Sequence, residues 1–139
     1  MRNSSIEDIM GKGAVTIETA TVLVVEDEVL ISELISEALH ERGFDVYVVS
    51  NARDAYRYIL SGLPVDVLFT DINLPGEIDG AALAQRVREM WPELPIVFAS
   101  GRLSLLGHLR TIPCAAFLAK PYSPDQACAA VEELIAVRH

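Results

Sequence analysis

Four short stretches of this 139-residue chain carry polar groups suited to metal and phosphate chemistry, and each directly follows an apolar run. They are Glu26-Asp27-Glu28, Asp71 with Asn73, Ser100, and Lys120-Pro121. Several carboxylates brought together repel one another unless a cation joins them. Hard oxygen ligands suit Mg²⁺, which keeps part of its water shell and takes a phosphate oxygen. These residue types therefore predict a magnesium site that can bind a phosphoryl group.

The same set contains a nucleophile and groups that can stabilise negative charge. Asp71 can attack a phosphorus centre while a metal screens its charge. Ser100 and Lys120 can hold the other phosphoryl oxygens, over which charge spreads in the transition state. Since phosphoryl transfer needs little beyond positioning and charge stabilisation, the pattern predicts phosphorylation of Asp71.

Each residue also has a simpler interpretation. Asp27 or Glu28 could cap the helix that follows, because acids favour helix N-termini. Asp71 and Ser100, taken singly, suit turns. Lys120 alone suits a solvated surface. The functional interpretation depends on all four groups meeting at one edge of the fold.

Five apolar runs predict the strands that would position these groups. The runs are Thr21–Val25, Asp45–Val49, Val65–Thr70, Ile96–Ala99 and Ala115–Ala119. Few of them alternate cleanly with polar residues, which indicates strands buried on both faces. A segment with helical spacing follows each run, so the predicted order is a strand and then a helix, repeated five times. The predicted fold is an α/β, doubly wound parallel sheet, in which sites form at the carboxyl ends of the strands.

Helical intervals predict which side chains face this sheet. They are Ile31, Leu34, Ile35, Ala38 and Leu39 in the first helix, Ala55, Tyr58, Ile59 and Leu60 in the second, Leu83, Val87 and Met90 in the third, and Ala127, Ala130, Val131, Leu134 and Ile135 in the last. Ser123 is the expected N-cap of the last helix, with Pro124 at its first position. Arg102 to Thr111 predicts a short fourth helix, because Gly107 interrupts its leucines.

Composition narrows the class of protein. Hydrophobic residues make up 51% and charged residues 22%, as in one globular domain rather than a disordered chain. The net charge of −9 would repel nucleic acid phosphates, so no nucleic acid partner is expected. No run is long enough to span a bilayer, and residues 1–20 lack a signal-peptide layout. We therefore expect a cytoplasmic protein without a membrane partner. Residues 1–20 are predicted to form a flexible tail and residues 21–139 a folded domain. The two cysteines, Cys114 and Cys128, are expected to be buried thiols.

The motifs together resemble the response-regulator receiver family of two-component signalling. The resemblance rests on Glu26-Asp27 after "TVLVV", Asp71 in "DVLFTDINLPG", Ser100 in "PIVFASG" and Lys120-Pro121 in "AFLAKPY". It covers the chain from about Thr21 to the C-terminus and implies a flavodoxin-like sheet with strand order 2-1-3-4-5. The stretch "VFASG" also resembles a receiver subfamily marked by Phe-Ala-Thr-Gly, with Ser in place of Thr.

The resemblance implies a metal-dependent phosphoacceptor. Asp71 would receive phosphate from a phosphohistidine on a sensor histidine kinase or phosphotransfer protein. Mg²⁺ would be bound by the carboxylates of Asp27 and Asp71, by Glu26 through water, and by the backbone carbonyl of Asn73. Glu26 stands where many relatives have Asp, and its longer side chain should still reach a metal-bound water.

Further roles follow from the same resemblance. Ser100 would hydrogen-bond the phosphoryl group, Lys120 would pair with it, and the peptide bond before Pro121 would be cis. Phe117 occupies the position of the family's switching aromatic ring, although it could equally be an ordinary buried strand residue. Because Phe117 has no hydroxyl, any switching must rest on packing.

Output is expected through protein contacts, since no basic DNA-binding segment follows the last helix in this sequence. The chain would then be a stand-alone response regulator or a phosphate sink, a signalling phosphoacceptor rather than an enzyme. The resemblance implies that a downstream partner or a second copy binds the face of the fourth helix, fifth strand and fifth helix. On that face, Leu103, Leu105, Leu106 and Leu109 either form an apolar partner surface or tuck inward.

Two alternatives stay open at this point. One is a pseudo-receiver, folded alike but never phosphorylated. The other is a flavodoxin-like cofactor-binding protein, which would need a Gly-, Ser- or Thr-rich phosphate loop after the first strand.

Overall fold

The structure is a computed structural model, and it describes residues 19–102 and 107–138. The predicted tail lies almost wholly outside these residues, as do Leu103, Leu105 and Leu106. The predictions made for those positions therefore stay predictions.

Five parallel strands form one sheet in the order β2-β1-β3-β4-β5. They are β1 (Thr21–Val25), β2 (Asp45–Val49), β3 (Val67–Asp71), β4 (Ile96–Ser100) and β5 (Ala115–Ala119). The three central strands are buried along their whole length, which explains their continuous apolar runs. The predicted fold class and strand order are confirmed. The predicted bounds of two strands were slightly wrong, since β3 begins two residues later and both β3 and β4 end one residue later, at Asp71 and Ser100.

Three α-helices and one 3-10 helix connect the described strands, and a fourth α-helix follows β5. They are α1 (Val29–Glu41), α2 (Ala52–Leu60), α3 (Gly80–Met90), the 3-10 helix (Gly107–Thr111) and α4 (Pro124–Arg138). The 3-10 helix takes the place of the short fourth helix predicted there. Helices α1 and α4 pack on one face of the sheet, and α2 and α3 pack on the other. Both faces are thereby covered, as a parallel sheet requires.

The start of α4 is fixed by a reciprocal cap. The Gln126 amide N–H donates to the Ser123 hydroxyl oxygen at 3.1 Å, and the Ser123 N–H donates to the Gln126 side-chain oxygen at 2.8 Å. This capping box confirms Ser123 as the N-cap.

Three side chains predicted to face the sheet are exposed instead: Leu34, Leu60 and Met90. Leu60 and Met90 are the last residues of α2 and α3, so no further helical turn covers them. Leu34 lies on the flank of α1 and lines an open groove beside β5. A helical stripe marks the side of a helix that can be buried, but a neighbouring element must still be present to bury it.

The two thiols differ in environment. Cys128 on α4 is buried as predicted, but Cys114 is exposed, so the prediction was wrong for Cys114. Cys114 lies in the turn before β5 and has a φ of 56°. Turn residues of this kind run over the surface, and an apolar neighbourhood in sequence does not bury them.

Candidate functional site

The carboxyl ends of the strands meet along one edge of the sheet. Asp71 is the last residue of β3 and lies opposite Ala99, next to the last residue of β4. The Lys120 N–H, just past β5, donates to the Ser100 carbonyl at 2.9 Å, and the Glu26 N–H, just past β1, donates to the Val49 carbonyl at 3.0 Å. All four predicted groups therefore lie at this edge.

Three acids at this edge form a cluster that can hold a cation. Glu26, Asp27 and Asp71 offer carboxylate oxygens within 4.8 Å of one another. Glu26 and Asp71 are 3% and 4% exposed, whereas Asp27 is open to solvent. Burial raises the pKa of Glu26; the amide of Glu28 and the charge of Lys120 oppose this rise, while the charges of Asp71 and Asp27 add to it. Two buried carboxylates beside an open one are a donor set that fits Mg²⁺, a hard cation that keeps part of its water shell.

Helix capping does not explain the acidic stretch after β1. Glu28 occupies the N-cap position of α1, but its side chain makes no cap hydrogen bond. The Glu28 amide N–H instead donates to Oε2 of Glu26 at 3.1 Å. The backbone thus turns back to support a buried carboxylate at the site, which favours the functional interpretation of Glu26.

Lys120 and Asp71 form an ion pair inside the site. The Lys120 Nζ lies 2.5 Å from Oδ2 of Asp71, and the two side chains are 26% and 5% exposed. Burial by itself lowers the pKa of Lys120, but the hydrogen bond and charge of Asp71, aided by Glu26 and Glu28, raise it overall. The ammonium is therefore charged at neutral pH, and the interpretation of Lys120 as a free surface lysine was wrong. The peptide bond between Lys120 and Pro121 is cis, as predicted.

One backbone amide donates to Asp71, and a buried hydroxyl ends the neighbouring strand β4. The Asn73 N–H donates to Oδ1 of Asp71 at 3.2 Å. Ser100 is 3% exposed, and its Oγ accepts a hydrogen bond from the Arg102 N–H at 3.0 Å. Because that oxygen acts as acceptor there, the hydroxyl proton of Ser100 can still donate to an incoming anion.

Gly80 supports the site, although it was not among the residues predicted from the sequence. Its N–H donates to the Ile72 carbonyl at 2.9 Å. A Cβ placed on Gly80 would collide with the Asp71 backbone carbonyl, so only glycine lets α3 start this close to β3. The sequence feature that could have indicated this role is a glycine directly after Asp79, the N-cap of α3. The Asp79 side chain accepts a hydrogen bond from the Ala82 N–H.

Two aromatic residues lie on or just after β5. The Phe117 ring stacks on Phe98 with centroids 5.2 Å apart, and the Arg110 guanidinium carbon lies 5.8 Å from its centroid. Phe117 is half-buried, and its switching role stays a prediction. Tyr122 packs edge-on against Phe69, and its hydroxyl is buried without a partner among the described residues.

Comparison with known proteins assigns the family. The family profile described as "Response regulator receiver domain" matches residues 22–132. This chain belongs to the response regulator receiver domain family. A response regulator receiver protein from Sinorhizobium medicae has a similar structure, with a TM-score of 0.80, 32% identity, and coverage of 88% of this chain and 98% of that one. Membership in the receiver family favours a phosphoacceptor over a flavodoxin-like cofactor-binding protein.

Curated relatives include longer regulators. Response regulator Rre1 of Synechocystis is 34% identical over 86% of this chain and 53% of its own length. The hydrogenase transcriptional regulatory protein HoxA of Bradyrhizobium diazoefficiens is 34% identical over 83% of this chain and 24% of its own length. The chain thus spans between a quarter and about half of these relatives.

Receiver domains share properties that the structure matches in outline. They are phosphorylated on Asp, bind Mg²⁺ at an acidic pocket, and interact with histidine kinases or phosphotransfer proteins. The cluster of Glu26, Asp27 and Asp71 is such an acidic group. Within residues 19–102 and 107–138, no helix has the length and apolarity needed to cross a membrane.

Proposed function

We propose that this receiver domain accepts a phosphoryl group on Asp71 from a phosphohistidine, in a reaction that requires Mg²⁺, and signals through protein contacts. The observation that carries the proposal is the ion pair of Lys120 and Asp71, formed beside two further carboxylates at the edge of the sheet. A buried carboxylate among other acids is costly unless cations join it. The site supplies one cation itself, Lys120, and its three carboxylates can hold another.

The chain's own oxygen atoms would hold the metal. Asp27 and Asp71 would contribute carboxylates, Glu26 would contribute through water, and Asn73 would contribute its backbone carbonyl. When bound, Mg²⁺ neutralises carboxylate charge and binds a phosphoryl oxygen.

The transfer itself follows from the geometry around Asp71. A carboxylate oxygen of Asp71 attacks phosphorus, and the new P–O bond forms as the P–N bond of the phosphohistidine breaks. The imidazole leaves with the bonding electron pair. The Lys120 ammonium and the Ser100 hydroxyl then hold two of the phosphoryl oxygens, over which the charge is spread. Both groups are already in place at neighbouring strand ends, so little reorganisation is needed.

A groove beside the site supports a protein as the phosphodonor. This α1 groove has a volume of about 420 Å³ and is lined mainly by apolar side chains together with Lys120. The lining residues are Glu28, Ile31, Leu34, Ile35, Lys120, Pro121, Tyr122 and Pro124. Val29 and Leu30, at the start of α1, are also exposed. A small phosphodonor would not use such a surface, whereas an apolar helix carrying the histidine would bury it.

Phosphorylation can be tested directly against the pseudo-receiver alternative. Incubation with acetyl phosphate and Mg²⁺ should give a mass increase and a shifted band in phosphate-affinity electrophoresis. Asp71→Asn should abolish both, because the amide is not a nucleophile toward phosphorus. Asp125→Asn, which changes an exposed acid on α4, is the matched control and should behave as wild type. Absence of phosphorylation in the wild type, from acetyl phosphate and from kinases alike, would support a pseudo-receiver.

The stand-alone role, the cytoplasmic location and the output surface remain predictions. Of the four leucines on the predicted output face, only Leu109 lies among the described residues, and it is 3% exposed. Its burial agrees with the inward-tucked interpretation for that residue. The described part of that face also includes β5, with Phe117, and helix α4.

A further inference from the structure

One buried hydroxyl beside the acidic site has no hydrogen-bond partner. The Tyr122 hydroxyl makes none with any residue that the structure describes, although the atom is closed to solvent. Its ring packs edge-on against Phe69 of β3, with centroids 5.9 Å apart. Buried hydroxyls in folded proteins nearly always have a partner, so an orphan points to a group that is still to be supplied.

Carboxylates of the site lie on the same face of the sheet as the Tyr122 ring. Phe69, on which the ring packs, is two residues before Asp71 on β3, so both side chains point to that face. Burial raises the pKa of Tyr122, and the charges of Glu26, Asp71 and Glu28 raise it further, in that order. Asp71 already uses both oxygens, one of them with Lys120. Glu26 uses only Oε2, which accepts the Glu28 amide. Within the described part of the chain, a buried donor thus lacks an acceptor, while Glu26 accepts a hydrogen bond at one of its two carboxylate oxygens and keeps the other for a further donor.

A partner protein is a poorer source for the missing acceptor. The ring of Tyr122 lines the α1 groove, but the hydroxyl oxygen itself is not accessible from it. A side chain docked in the groove would reach the oxygen only after the ring had moved. An acceptor on the chain itself, such as Glu26, does not depend on a partner entering the groove.

We propose that Tyr122 is a positioning residue of the acidic site, whose hydroxyl donates a hydrogen bond to the free oxygen of Glu26, directly or through one buried water, when a divalent cation is bound. The inference rests on the proposed metal-binding role of Glu26, Asp27 and Asp71. A donor behind a carboxylate fixes its orientation and stabilises its ionised form, and such outer groups strongly affect metal affinity. A phenylalanine would fill the same space without the donor.

The first test is isothermal titration of the full chain with MgCl₂ at neutral pH. Tyr122→Phe should weaken Mg²⁺ binding about tenfold, which corresponds to about 1.4 kcal/mol and is the lower end of the effect of losing an outer-sphere partner. Tyr47→Phe, which alters an exposed tyrosine on β2, should leave the affinity unchanged. A Tyr122→Phe affinity equal to that of the wild type would overturn the proposal.

A double-mutant cycle with Glu26→Gln tests the route of the effect. If the hydroxyl acts through Glu26, Tyr122→Phe should have almost no further effect on Mg²⁺ affinity in the Glu26→Gln background. Independent, additive losses would show that Tyr122 acts by another route and would overturn the assignment.

Thermal unfolding separates positioning from a structural role. In metal-free buffer, Tyr122→Phe should melt no lower than the wild type, because it removes an orphan hydroxyl, while the rise in Tm on adding Mg²⁺ should shrink. A lower metal-free Tm with an unchanged Mg²⁺ effect would contradict the proposal.

Mg²⁺ binding also separates this inference from the proposed function. If the wild type bound no Mg²⁺ at all, the proposed function would fail together with this inference. If the wild type and Tyr122→Phe bound Mg²⁺ equally well, only the inference would fail.

Discussion

Lys120 reaches Asp71 across an intervening strand. Asp71 is the last residue of β3 and Lys120 directly follows β5, and β4 lies between those strands in the sheet. The Lys120 Nζ nevertheless lies 2.5 Å from Oδ2 of Asp71, with Asp71 almost fully buried. The pair therefore links the outer edge of the sheet to the acceptor position, and its positive charge lies where a phosphoryl group would arrive.

Removing that charge should impair both chemistry and stability. Lys120→Ala is expected to slow phosphorylation by acetyl phosphate about 100-fold, the usual effect of losing one preorganised charge-stabilising group. It should also lower the metal-free free energy of unfolding by about 3 kcal/mol, because a buried carboxylate loses its partner. Phosphate-affinity electrophoresis and urea unfolding measure the two effects. Arg42→Ala, which breaks only exposed ion pairs with Asp125 and Glu132, is the control and should change little.

Gly80 gives a second prediction, which concerns the backbone. Gly80→Ala places a Cβ against the Asp71 carbonyl, so β3 and α3 must separate. We expect a loss of about 2–3 kcal/mol in urea unfolding, the upper range for overpacking against rigid atoms. Gly101→Ala is the matched control, since a Cβ there meets nothing within 4 Å. Equal stability of the two variants would show that the approach of Gly80 to Asp71 is not restrictive.

The sheet and most of the site could be predicted from the sequence for one physical reason. Strands buried on both faces must be continuously apolar, so the first polar residue after each run marks a strand end. Glu26, Asp71, Ser100 and Lys120 are such residues, and parallel topology brings their strand ends together. Family resemblance then supplied the strand order and the role of each position.

What could not be predicted depends on the packing between elements. Gly80 matters because of its distance to the Asp71 carbonyl, and no spacing in the sequence encodes that distance. Leu34 fits the buried stripe of α1, yet no element covers its flank. The Tyr122 hydroxyl is an orphan only because of where its ring packs, against Phe69 and behind the acidic site.

The two thiols should differ in reactivity and in their effect on alkaline stability. Burial raises the pKa of Cys128 above its usual value of 9.0, so between pH 9 and that higher pKa the folded chain holds a proton that the unfolded chain has lost. Stability should therefore fall as the pH rises above about 9, and Cys128→Ala should reduce that slope while Cys114→Ala should not. Urea unfolding from pH 7 to 10 measures this slope.

Iodoacetamide should label only exposed Cys114 in the folded chain, and labelling of Cys128 at a similar rate would contradict its burial.

The α1 groove should matter for a protein phosphodonor and not for a small one. Leu34→Glu puts a charge into the apolar lining at a side chain that is already 56% exposed, so the fold should tolerate it. We expect transfer from a cognate histidine kinase to fall at least tenfold, since an apolar contact is replaced by a desolvated charge. Phosphorylation by acetyl phosphate should stay within twofold of wild type. Leu60→Glu, which changes a similarly exposed leucine on α2, is the control and should leave both reactions intact. If Leu34→Glu and Leu60→Glu accepted phosphate from the kinase equally well, the donor would have to dock elsewhere.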